Sequence, residues 1–190
     1  MADRSSRIAS VAARQIFDSR GRPTVEAEVT LADGSAGRAC VPSGSSTGRH
    51  EAWELRDRDP ELFGGLGVLV ATGHVRGEIA ARIVGMDGLD QQAVDHALID
   101  LDGSPSLRRL GANAVLATSL ATSFAAAVTM IARVRNAAAE IMTGGNLSTL
   151  LAEDGGLTPG FQQADQALEL MVRAIEAAGL PFAGFSGLSG

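Results

Sequence analysis

No lysine occurs anywhere in the 190 residues, and all sixteen basic side chains are arginine. A guanidinium stays charged at every pH a protein meets, whereas a buried lysine amine can shed its proton and act as a base. Chemistry that needs a lysine is therefore closed to this chain acting alone. Cysteine is almost as scarce: with Cys40 alone, neither an internal disulfide nor a cysteine-built zinc site is available. Its neighbours Ala39 and Val41 read as a strand, which predicts a buried structural thiol in preference to a reactive one. Positive charge is not in excess either. A net charge of −6 argues against a nucleic-acid partner held by a basic surface. Residues 1–19 lack an apolar core long enough for a secretory signal, so the expected location is the cytoplasm. The chain is also too short for a complete eight-stranded α/β barrel, which takes about 250 residues.

What is present suffices for one well-buried domain with an appendage. Residues 7–17 and 24–32 read as strands, the second from the alternation of Val25, Ala27, Val29 and Leu31 with polar positions. DSRGRP supplies a turn between them. Asp33 and Gly34 signal a hairpin into a third short strand, SAGRACV, that ends at Pro42. From about residue 67 the spacing becomes helical, with Val68, Val75, Ile79 and Ile83 in one segment and Val94, Leu98 and Ile99 in the next. Strands followed by helices predict an α+β fold: a three-stranded antiparallel meander, then a helical bundle.

Residues 111–132 carry no charge and are long enough to span a bilayer. They are built from alanine, serine and threonine, whose transfer into lipid is weakly favourable at best. A buried helix at about 112–130, with no membrane contact, is the expectation. Residues 131–180 then read as helix, short strand and loop, and helix. The last helix is expected to turn Ala167, Leu170, Met171, Ala174, Ile175 and Ala178 to one face. The expected organisation is a domain over 1–130, a helix-strand-helix appendage over 131–180 and a tail over 181–190.

Residues 16–59, IFDSRGRPTVEAEVTLADGSAGRACVPSGSSTGRHEAWELRDRD, resemble the amino-terminal domain of enolase, the phosphopyruvate hydratase of glycolysis. The likeness continues through DLDGSPSLRRLGANAVLATSLA at 100–121. Residues 150–179 are similar to one strand, loop and helix from the first part of the enolase barrel. Between these regions the family carries several dozen residues that have no counterpart here, and nothing matches the rest of its barrel. The resemblance implies an enolase with an internal deletion and a missing carboxy-terminal half.

Several site assignments follow from that resemblance. Ser43, Gly44, Ser45, Ser46, Thr47 and Gly48 match the loop that closes over substrate, and Ser46 matches the serine that helps bind a second magnesium ion. Read without the family, such a Gly/Ser-rich loop is equally an ordinary mobile connection. It lacks the lysine and spacing of a P-loop. Asp154 falls where the family has its catalytic glutamate, one methylene shorter, and a misplacement of about 1 Å can cost about a hundredfold in rate. Two adjacent acids, Glu153 and Asp154, also read simply as a solvated loop. His50 matches a histidine common after the lid. Asp18 and Arg20 match a structural turn, in a region that contributes to the family's dimer interface. Trp53 and Phe17 read as packing residues, and His74 and His96 as surface or core histidines. Two amino-terminal-domain lysines of the family fall at Leu66 and Val70.

In the family, a lysine base removes the proton beside a carboxylate and magnesium ions stabilise the ene-diolate. The catalytic lysines and the metal-binding carboxylates have no counterpart in these residues. The resemblance thus implies a truncated lyase homologue, a pseudoenzyme inactive alone, with magnesium only as a family trait. Two alternatives stand beside it: an interaction module that associates with itself or with full-length enolase, and an active hydratase with an atypical site.

Overall fold

The computed structural model describes residues 4–44, 48, 51–145, 157, 160–161 and 164–180. The chain forms two compact units, Met1–Val128 and Thr129–Gly190.

The first unit opens with three strands, β1 (Ile8–Phe17), β2 (Pro23–Leu31) and β3 (Ala36–Val41), in the order β1-β2-β3 and all antiparallel. The register sets Val11 opposite Val29 and Gln15 opposite Val25, then Ala27 opposite Ala39 and Val29 opposite Gly37. Because side chains alternate across a strand, Val25, Ala27, Val29 and Leu31 share the inner face, and each is essentially inaccessible. The two turns are made by aspartates. Asp18 accepts from the backbone N–H of Arg20 and Arg22, and Asp33 from that of Ser35.

A helical segment follows, built from α1 (Leu69–His74), a π turn over Val75–Ile79 and α2 (Ala80–Ile83). Val68, Val75, Ile79 and Ile83 are fully buried, as their spacing requires. α3 (Gln91–Asp102) starts at Asp90, whose carboxylate accepts from Ala93 N–H, and stops at Gly103 in the left-handed conformation. α4 spans Ala112–Gly144. Thr118 and Thr122 bury their hydroxyls by donating to the carbonyls four residues back. In the second unit, Ala137, Ala138 and Ala174 form a small core with Val134, Ile141, Leu157 and Ala178, the last helix being α5 (Ala164–Ala177).

The α+β architecture is the expected one, but several details differ. The residues read as two helices on either side of position 130 form the single helix α4, since no glycine or proline interrupts residues 113–143. α4 is long and apolar enough to cross a membrane by length and composition, and half of its most apolar window is buried within the protein. The segment after the Gly/Ser-rich loop has no regular structure over 51–59. Its backbone instead bonds outward: Trp53 N–H to Ser106 O, Asp57 N–H to Gly67 O, and Trp53 O from Ala112 N–H.

Cys40 is exposed, not buried, because the alternation that turns Ala39 inward turns Cys40 outward. Phe17, 56% exposed at the end of β1, meets Phe63, also exposed, edge-on at 5.3 Å. Ile99 and Met171 also face solvent. The strand expected near 147–152 and the tail at 181–190 lie outside the described residues.

Candidate functional site: the base of a Gly/Ser-rich loop

Residues 43–48 leave the end of β3, and the structure shows how the first of them is held. Ser43 Oγ donates to Glu54 Oε1 at 2.7 Å and accepts from Arg56 Nη2, while its carbonyl accepts from Arg20 Nη2. Arg56 is ion-paired with Glu54 at 2.6 Å, and its other terminal nitrogen donates to Pro23 O at 2.7 Å and to Leu66 O. Arg20 is in turn fixed by Asp18 at 3.3 Å. The backbone N–H of Arg22, followed by the N–H and charge of Arg20, holds the Asp18 carboxyl below its usual range. One serine is thus gripped by three side chains from two segments of chain through charge-assisted hydrogen bonds.

The far side of the loop is anchored differently. The Asn113 side chain bonds both backbone groups of Leu55, donating to its carbonyl and accepting from its N–H, each at 3.1 Å. Asp57 accepts from the N–H groups of Leu69 and Val70 at 2.8 Å, satisfying two donors at the start of α1. No sequence motif marks Arg56, Glu54, Asp57 and Asn113 as a group. The alternation of charged residues around Leu55 in ELRD was the available signal.

Of the expected site residues, Ser43 lies in this grip, and Gly44 and Gly48 are exposed. Ser45, Ser46, Thr47, His50 and Asp154 lie outside the described residues, so neither the magnesium-binding role expected of Ser46 nor the catalytic role expected of Asp154 is placed. His74 Nδ1 pairs with Glu78 at 2.8 Å, and Glu78 also meets Arg109 at 2.7 Å. The Arg109 hydrogen bond, then that of His74, keeps the Glu78 carboxyl below its ordinary value. His96 is exposed on α3. The Cys40 thiol, 3.4 Å from Glu26 Oε2, is pushed up by partial desolvation and then by that carboxylate, which disfavours the reactive thiolate.

Among the described residues, no group of three His, Cys, Asp or Glu side chains could hold a metal ion. Magnesium requires near-octahedral oxygen donors, usually including carboxylates. The described residues therefore do not fit that ion, and no chemical step is built on it.

The meander and the helices that follow it agree with one comparison. The family described as Enolase, N-terminal domain, matches residues 8–136 of this chain. That match covers more than half of the 190 residues, and the chain belongs to the enolase amino-terminal-domain family.

Proposed function

We propose that these 190 residues do not by themselves carry out the hydratase reaction of the enolase family. The observation behind this reading is the absence of lysine. Abstraction of a proton beside a carboxylate needs a well-placed base and strong stabilisation of the ene-diolate. Arginine cannot supply the base. The family generally uses magnesium, and the described residues offer no donor set for it. With purified protein, phosphoenolpyruvate formation from 2-phosphoglycerate and magnesium is expected to stay at the level of an Asp154→Ala control. Turnover that this substitution abolishes would establish an active hydratase with an atypical site.

A second reading, association with another copy of this chain, rests on exposed apolar surface. Leu116, Leu120, Phe124 and Val128 recur every four residues along α4, and each is between 38% and 54% exposed. This spacing places them on one helix face. Nearby in sequence to Phe63, Leu66 and Val70 are exposed where the family resemblance places lysines. Scattered exposed leucines are ordinary, whereas a continuous apolar stripe marks an interaction surface. Two such stripes can pack on each other about a twofold axis. Sedimentation over a hundredfold concentration range should therefore show a monomer giving way to a dimer, and Phe124→Glu should hold the chain monomeric. A single monomeric species throughout would refute the association, and binding to full-length enolase in its place would reassign the partner.

A further inference from the structure

We propose that Trp53, Arg58 and Arg108 form a surface site for a small, soluble phosphate-bearing anion. Trp53 is 36% exposed. The guanidinium carbon of Arg58 lies over its ring at 5.4 Å from the centroid, and that of Arg108 at 4.8 Å. The two arginines reach the indole from separate stretches, 51–59 and the turn that follows Pro105–Leu107. Arg58 itself has φ +60°, and Ser106 and Leu107, just before Arg108, have φ +58° and +53°. Non-glycine residues rarely adopt such values.

No ion pair among the described residues joins Arg58 or Arg108 to a nearby carboxylate, and several of those carboxylates are engaged elsewhere. Glu54 pairs with Arg56 and Ser43, Asp57 caps α1, and Asp59 accepts from Glu61 N–H. The buried Asp102 accepts from Ser104 and Leu110. Arg109, beside Arg108, is neutralised by Glu78. Among the described residues, Arg58 and Arg108 have no carboxylate partner.

Two uncompensated cations held against one ring repel each other, and an anion between or beside them relieves that repulsion. A cation lying over an indole is held through its face, which leaves its N–H edge available. The planar fork of arginine matches phosphate oxygens in pairs. A doubly charged phosphate can engage both forks. The protein's net charge of −6 disfavours a long polyanion such as nucleic acid and leaves a small one. This site does not depend on whether the chain is catalytic.

Trp53 is the only tryptophan and the chain has no tyrosine, so intrinsic fluorescence reports on this site alone. The full chain is titrated with inorganic phosphate and with pyrophosphate at fixed ionic strength, against a matched chloride series, and calorimetry provides a readout independent of the ring. A saturable response to phosphate or pyrophosphate, absent with chloride, is expected. Arg58→Gln and Arg108→Gln should each weaken it by about tenfold or more, the loss expected for a hydrogen bond to a charged group, while Arg76→Gln, exposed and not one of the two arginines over the ring, leaves it unchanged. No saturable response from the unaltered chain by either method overturns the proposal. So does an affinity that neither arginine substitution lowers below that of the unaltered chain.

Discussion

Gly37→Ala is expected to destabilise the first unit by about 3 kcal/mol or more, a large share of the roughly 5–15 kcal/mol that holds a domain folded. Gly37 is buried at the point where β3 meets α4. A Cβ added there would lie far inside van der Waals contact with the Ala121 carbonyl oxygen and the Ala125 nitrogen, and 2.9 Å from the Phe124 carbonyl carbon. All three are backbone atoms of α4. A side chain could rotate away; a helix backbone can yield only by moving off the sheet, which opens the core on both sides. Gly34 provides the contrast. Its φ is +88° with open space around its Cβ position, so Gly34→Ala should cost only about 1 kcal/mol through backbone strain. Urea unfolding of both variants separates the two causes. Equal midpoints would refute the close approach of strand and helix.

Asp102→Ala is expected to cost about 2–4 kcal/mol. Asp102 is 3% exposed, and its carboxylate accepts from Leu110 N–H at 2.7 Å, from Ser104 N–H at 3.0 Å and from the Ser104 hydroxyl. Removing it leaves the N–H of Leu110, a residue with no exposure, without its acceptor. Asp102→Asn keeps the shape and one acceptor oxygen, so its cost should be smaller, about 1 kcal/mol.

The two variants also differ from wild type in acid. Burial alone would raise the Asp102 pKa, but the hydrogen bonds from Ser104 and Leu110 outweigh it and hold the group below its ordinary 3.8. A carboxyl whose folded pKa is depressed contributes stability that is present above 3.8 and is lost as pH falls through the lower folded value. Asp18 and Glu78, also depressed, add to the same acid loss. Stability of Asp102→Asn should therefore fall less steeply below pH 4 than that of wild type. Parallel acid profiles would mean that this carboxylate is not held by these donors.

Much of the fold was legible because the periodicities are clean. Val25, Ala27, Val29 and Leu31 alternate and are buried together, and Val68, Val75, Ile79 and Ile83 follow helical spacing into the same core. What failed was the direction of single residues. Cys40, Phe17 and Ile99 sit in correctly read elements but face solvent, because the face is decided by register and by what packs opposite. Trp53 was read as a packing residue, whereas its partners are two arginines, one of them 55 positions away in sequence. The grip on Ser43 was hidden for the same reason. Arg20, Glu54 and Arg56 are 23, 11 and 13 residues from it, and no local pattern announces such contacts.

The central claim is that a chain without lysine lacks the base of this chemistry. Exchange of the C2 proton of 2-phosphoglycerate with deuterated solvent reads that step alone, before any hydroxide departs. Followed by proton NMR with magnesium and stoichiometric protein, the C2 signal is expected to decay no faster with wild type than with Asp154→Ala. Faster loss of the signal in wild type, abolished by that substitution, would contradict the account and place a working base among these 190 residues.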